Sequence, residues 1–378
     1  MKWESYTIEE LCNKVTSGGT PLRSVSEYYD GGSIPWIKTK EVNFNRIYDA
    51  DEKITEKGLD NSSAKLIPEN SILIAMYGDG HTAGRCAINR LPVTTNQACC
   101  NLVINPEKAN PDYMFYKIST LYEIFRGLKS GGSQQNLNAK TLREFKLEIP
   151  PLPTQRRIAS ILSADDDLIE NNLRRIKLLE EKASLMYKQL SDELSRSEKI
   201  NLYDFADIQM GYAFKADAFN ETGDGTPIIR IRDIPNQITK SYTTQEVDPN
   251  YFVEKGDLLI GMDGEFHMNE WFGQRGYLVQ RVCRLRSKNP LYQSFLWQAL
   301  KEPIHYYETT ITGATVAHLG KKHLEEIFIQ KPIKLMHSNI EEMNVMRKLK
   351  INLSEQNSKL REARDILLPR LMSGEIEV

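Results

Sequence analysis

Leu137-Asn138-Ala139-Lys140-Thr141-Leu142-Arg143-Glu144-Phe145-Lys146-Leu147-Glu148-Ile149-Pro150 has an echo later in the same chain, Leu319-Gly320-Lys321-Lys322-His323-Leu324-Glu325-Glu326-Ile327-Phe328-Ile329-Gln330-Lys331-Pro332. The match reaches back without a gap to Ser130 and Thr312. Within it Gly131/Gly313, Leu137/Leu319, Lys140/Lys322, Leu142/Leu324 and Glu144/Glu326 are identical. Three further echoes precede it in the same order. Thr7-Ile8-Glu9-Glu10-Leu11-Cys12 resembles Asn201-Leu202-Tyr203-Asp204-Phe205-Ala206, each followed by a glycine, Gly18 and Gly211. Pro35-Trp36-Ile37-Lys38-Thr39-Lys40-Glu41-Val42 matches Pro227-Ile228-Ile229-Arg230-Ile231-Arg232-Asp233-Ile234, and Ile72-Leu73-Ile74-Ala75-Met76-Tyr77-Gly78 matches Leu258-Leu259-Ile260-Gly261-Met262-Asp263-Gly264. Four matches in one order make the chain a duplication, each copy about 180 residues long.

Each copy has two textures. The first is mixed, with short β-like runs at 71–76, 145–149, 257–262 and 327–329, many glycines, and helical stretches such as 112–125. The second is helical and lacks glycine and, until Pro369, proline. Thr154, after Pro150-Pro151-Leu152-Pro153, is placed to cap a helix running to Glu198. Its apolar residues Ile158, Leu162, Ile169, Ile176, Leu179, Ala183, Met186 and Leu190, with Asp165 and Asn172 filling the gaps, alternate steps of three and four, the seam of a coiled coil. A second helix from near Leu335 carries Ile340, Met343, Met346, Leu353, Leu360, Ala363 and Leu367, and Pro369 should kink or end it before Ser373-Gly374. Helices this long cannot wrap inside a small domain, so the simplest arrangement pairs them antiparallel about a pseudo-two-fold axis. The expected fold is therefore α+β. Mixed α/β domains span 1–152 and 199–332, and long helices span 153–198 and 333–378.

At 378 residues, with 40% hydrophobic and 26% charged side chains, the composition is that of a multidomain globular protein. No stretch approaches 18 consecutive apolar residues, and Met1-Lys2-Trp3-Glu4-Ser5 opens no signal core. These features predict neither a membrane span nor export, and a cytoplasmic location. Five cysteines (Cys12, Cys86, Cys99, Cys100, Cys283) lack the spacing of a zinc knuckle and read as reduced, buried thiols. The six histidines form no metal-ligand pattern, so no metal site is expected.

Motifs that suggest chemistry dissolve on inspection. Gly78-Asp79-Gly80-His81-Thr82-Ala83-Gly84 follows a strand as a dinucleotide loop would, but Arg85-Cys86-Ala87-Ile88 continues as strand or turn rather than as a helix. Asn110-Pro111-Asp112-Tyr113 resembles an amino-methyltransferase motif without its second proline, and reads better as a helix start. No Gly-x-x-x-x-Gly-Lys-Ser/Thr loop is present, and Glu180-Glu181-Lys182 has the pattern of a solvated helix face. No catalytic constellation emerges.

The join between the two textures carries a family resemblance. Ser130-Gly131-Gly132-Ser133-Gln134-Gln135-Asn136-Leu137 and the run from Leu142 through Pro150-Pro151-Leu152-Pro153-Thr154-Gln155 to Ile158 resemble the end of a target-recognition domain entering the first long helix of Type I restriction–modification specificity subunits. Leu371-Met372-Ser373-Gly374-Glu375-Ile376 is similar to that family's ending. The second join, Lys331-Pro332-Ile333-Lys334-Leu335-Met336-His337, lacks the double proline and the glutamine.

The resemblance implies a non-catalytic, sequence-specific subunit that binds double-stranded DNA. Each domain would read one half of a bipartite asymmetric site, and the helices would set the spacer. It implies two modification (methyltransferase) subunits and restriction (motor-nuclease) subunits as partners, which would hold S-adenosylmethionine, ATP and Mg, with no cofactor on this chain. A related fused methyltransferase–nuclease (Type IIB-like) system and a protein-only coiled-coil scaffold remain as alternatives. Charge agrees with reliance on partners: residues 1–150 hold 18 basic and 18 acidic side chains and 199–332 hold 15 and 17. Such nearly neutral heads would grip phosphates poorly alone.

Candidate DNA contacts follow from the echoes. Lys38 and Lys40, with Arg230 and Arg232 at the matching positions, alternate on a presumed strand and either bind phosphate or form a solvated face. The turns after the matched strands differ between copies, as expected where two domains read different bases. They and their flanks add Tyr77, Arg85, His267 and Arg275, and His318 stands in the second copy where Asn136 stands in the first. Gln134, Gln135 and Asn136 could pair with adenine or simply shape a turn.

Overall fold

A computed structural model describes residues 3–78, 81–130, 137–311 and 317–378. The chain forms two units, Met1–Asp167 with Leu360–Val378, and Leu168–Lys359. In the first, Glu4–Thr7 pairs antiparallel with Lys146–Ile149. The main sheet runs in the order Cys12–Ser17, Cys99–Ile104, Ile72–Ala75, Cys86–Asn89, Asn45–Ile47. Only the last pair is parallel. Ile72–Ala75 is apolar throughout because both faces are covered. Ile72 and Ile74 pack with Tyr113, Met114 and Phe115 of the helix Pro111–Ser119, while Leu73 and Ala75 pack with Ile37 and Val93. Asn110 caps that helix, its side-chain oxygen accepting from Tyr113 N at 2.9 Å, as an Asn-Pro start predicts.

The second unit repeats the plan. Lys199–Asn201 pairs with Phe328–Gln330, and a four-stranded sheet orders Ala206–Met210, Val282–Ser287, Leu258–Gly261 and Met268–Glu270. Ile34–Ile37 lies parallel to Thr94–Thr95 in the first unit, and Thr226–Ile229 lies parallel to Gly276–Leu278 in the second. The echoed glycines have a steric reason: a Cβ on Gly18 would sit 2.2 Å from Thr95 O, and one on Gly211 2.1 Å from Val279 O. Strands cross there too closely for any side chain.

The long helices are Leu152–Gln189 and His337–Ser373, about 57 and 55 Å at ~1.5 Å per residue. In each unit they run antiparallel. Asp166 meets Arg364 in the first (2.7 Å), and in the second Asn172 meets Asn357 (2.9 Å) and Lys182 meets Glu342 (2.6 Å). Ile158 and Leu162 are buried with Leu371 and Met372, and Leu367 packs alongside. In the second unit Ala183 and Met186 pack with Met343 and Met346, with Leu179 alongside. Ile169 and Leu353 are buried, Ile176 and Leu360 half-buried, and Leu190 and Ile340 join the core of the second unit.

Three details depart from expectation. The acidic seam position is Asp166, buried against Tyr116 Oη (2.6 Å) and Arg364, whereas Asp165 is only half-covered. The first helix begins at Leu152 and ends at Gln189, so Thr154 lies inside it. Gln155 anchors its start instead, accepting from Asn110 N and donating to Pro150 O, both at 2.9 Å. Pro369 does not end the second helix, which continues to Ser373, where the buried Leu371 and Met372 hold the last turn against the core.

Candidate nucleic-acid interface

Lys38 and Lys40 do not alternate on a strand. The strand ends at Ile37 and the chain turns through a single 3-10 turn, Thr39–Glu41. The second copy does the same after Ile229, at Ile231–Asp233. The cause is the acid three residues on. Glu41 accepts the Lys38 N–H at 3.0 Å and Asp233 accepts that of Arg230 at 2.9 Å, closing the chain into a tight loop. The duplication is real, but the geometry is a turn.

Most of the candidate cations already have acidic partners. Lys38 pairs with Glu52, which also takes Arg23 at 2.6 Å; these hydrogen bonds, that from Lys38 first, hold the Glu52 carboxyl below its ordinary range. Lys40 reaches Asp51 at 2.8 Å, with both side chains exposed, and Arg275 reaches Glu254 at 2.6 Å while lying over the Phe252 ring. Arg230 is held by the Ser241 hydroxyl, whereas Arg232 is exposed and makes no hydrogen bond or ion pair among the described residues. An exposed pair such as Lys40–Asp51 is worth little, so phosphate can replace that carboxylate at small cost. Tyr77 is exposed, and Arg85 is half-buried with its Nε lacking a partner. His267 lies 3.4 Å from Glu265. Gln134, Gln135 and Asn136 lie outside the described residues.

Each sheet ends at a corner closed by the same hydrogen bond. Met76 N donates to Ala98 O in the first unit and Met262 N to Arg281 O in the second, both at 2.8 Å. In the second unit two more segments are pinned there, Leu319 N to Met262 O (2.8 Å) and Gly264 N to Ala317 O (2.9 Å). The corner gathers three side chains. His318 Nδ1 lies 2.6 Å from Asp263 Oδ1, Arg281 Nε lies 3.4 Å from Asp263 Oδ2, and Arg281 Nη1 lies 3.5 Å from His318 Nε2. Sequence reading found His318 and missed Arg281, because no motif marks it and its counterpart, Ala98, is neutral. The four cysteines other than Cys12 are buried, and burial pushes the thiols of Cys86, Cys100 and Cys283 up to about 12, so they are inert packing groups. Among the described residues no group of three His, Cys, Asp or Glu side chains could hold a metal, and no helix is long and apolar enough to cross a membrane.

Two α+β units of one plan, each joined to long helices that run antiparallel, define a duplicated recognition scaffold. The chain belongs to the family of the Type I restriction modification DNA specificity domain, whose pattern matches residues 1–181 and 195–338. It is a Type I restriction–modification specificity subunit with two target-recognition domains. It is 26% identical to the Type I restriction enzyme MjaIX specificity subunit of Methanocaldococcus jannaschii, over 100% of this chain and 94% of that one. Against the EcoR124I/EcoR124II specificity subunit of Escherichia coli the identity is 31%, over 53% of this chain and 50% of the relative. The crystal structure of the Type-I restriction-modification system S subunit from M. genitalium shares the fold at a TM-score of 0.58 and 18% identity, covering 98% and 96% of the two chains.

Proposed function

We propose that this chain supplies sequence choice, and no chemistry, to an adenine-methylating and DNA-cleaving assembly. Each unit reads one half of a bipartite, asymmetric site in double-stranded DNA. Two modification subunits dock on the paired helices and bring S-adenosylmethionine; restriction subunits bring ATP-driven cleavage with Mg. The observation that carries this reading is the matched corner, where one hydrogen bond in the same register holds Ala98 in one unit and Arg281, at φ +73°, in the other. A scaffold that bound only protein would have no use for two copies of one platform with different tips. The near balance of charge in the two domains supports dependence on partners for phosphate grip.

The test is a methylation map in a host carrying this chain with its modification partner. The expected result is one split adenine-methylated sequence that disappears when this chain is removed, together with no methyl transfer by the purified chain alone. Methyl transfer from S-adenosylmethionine by the chain alone would contradict the proposal.

A further inference from the structure

We propose that Arg281 is a base-reading residue of the second unit, aimed at guanine, with Asp263 and His318 positioning its guanidinium; the proposal rests on the function given above. Arg281 has φ +73°, a left-handed conformation that side chains other than glycine rarely adopt. Such a conformation persists where the surroundings over-determine it, and it is concentrated at functional sites. The surroundings here are the corner itself. The Arg281 carbonyl is fixed by Met262 N, and the next segment turns into the strand Val282–Ser287.

The side chain is half exposed and steered from two sides. His318 Nδ1 donates to Asp263 Oδ1, Arg281 Nη1 lies against the same imidazole, 3.4 Å from Nδ1 and 3.5 Å from Nε2, and Asp263 Oδ2 faces Arg281 Nε. Arg281 Nη2 has no partner among the described residues. A guanidinium so held presents a rigid fork, the geometry that matches O6 and N7 of guanine in the major groove.

Two observations favour a base over a phosphate. Asp263 offsets the charge of Arg281, which weakens a phosphate site but suits a contact with base edges, where a carboxylate can also accept from a cytosine amino group. Phosphate contacts, moreover, are needed whatever the sequence, so a duplicated platform should keep them in both units. Here the equivalent tip is Ala98, and a side chain present in only one unit is what different half-sites require.

The test uses the chain assembled with its modification subunits and a pool of randomised duplexes. Arg281→Gly suits the backbone, since glycine adopts this φ freely, so the variant should assemble and melt like the parent. Preference should be lost at one G·C position in one half-site, with that duplex bound roughly 5- to 150-fold more weakly. Arg281→Lys keeps the charge but not the fork and should fail likewise, whereas Asp263→Asn should blunt the preference less.

An unchanged site for Arg281→Gly would overturn the proposal. So would a uniform loss across all sequences with a salt slope smaller by about 0.9, which would make Arg281 a phosphate contact. A parent complex with no sequence preference at all would instead overturn the functional reading, a failure visible before any variant is made.

Discussion

At the scale of single residues, the two lysines that follow Ile37 are held by acids rather than left bare. Glu52 binds Lys38 and Arg23, and Asp51 binds Lys40. If DNA phosphates take over from these acids, Lys38→Ala with Lys40→Ala should weaken binding of the assembled complex with little change in sequence preference. Each lost contact should lower the slope of log affinity against log salt by about 0.9. A changed recognition sequence at unchanged salt dependence would show that these lysines face bases. The paired positions 38/230 and 40/232 were legible from the echoes, but their conformation was not. A strand and a tight turn share the same residues, and only the placement of Glu41 and Asp233 over the preceding N–H groups selects the turn. Arg281 was illegible for the opposite reason: function is expected where the copies differ, and the echoes draw attention to where they agree.

At the scale of an element, the second long helix carries a charge where its seam should be apolar. Lys350 is 1% exposed, with Nζ 2.5 Å from Glu270 Oε2 and 3.5 Å from Glu180 Oε1, and Glu270 also accepts from Arg347 at 3.0 Å. Glu270 lies on the strand Met268–Glu270, so this network joins helix to sheet within the second unit. Replacing Lys350 by Met leaves the fully buried Glu270 with Arg347 alone, and should lower unfolding free energy by about 3 kcal/mol in a denaturant titration. Adding Glu270→Leu should restore much of that loss, because removing both charges spares their desolvation. A stable single variant would mean that the pair contributes nothing. The apolar steps of both helices could be read directly from the sequence, since burial selects them at a fixed period. Asn172 was legible as a gap in that period, but Lys350 was not, because it breaks the pattern and its partner Glu270 lies 80 residues away.

At the scale of the whole chain, the antiparallel register predicts how the recognised sequence should respond to engineering. Asp166 lies opposite Arg364 and Asn172 opposite Asn357, so a heptad between Glu170 and Asn171 is matched by one between Lys359 and Leu360. Both insertions spare the Lys350 network and the Asp166 pair. Two turns add roughly 10 Å to each helix and preserve the seam. At ~3.4 Å per base pair, the methylation map should keep both half-sites and gain about three unspecified positions between them. Twist of the duplex should weaken binding at the same time. An active complex with its spacer unchanged would assign the spacing to partner subunits, and a two-residue insertion should abolish assembly.

The division of the chain has a further consequence, for its birth on the ribosome. The first unit needs residues 360–378: Leu371 and Met372 lie in its core, and Lys117 Nζ donates to the Met372 carbonyl at 2.9 Å. Between Asp167 and Leu360 the ribosome must add the 192 residues Leu168–Lys359 (359 − 168 + 1), which takes about 10–40 s at ~5–20 residues per second. For that time the nascent first unit holds Ile158 and Leu162 without their final cover, and the unit begun second is completed before it. The unit begun first is therefore the last to be completed. Chaperone capture should fall on the N-terminal half until the last turns of the second helix emerge.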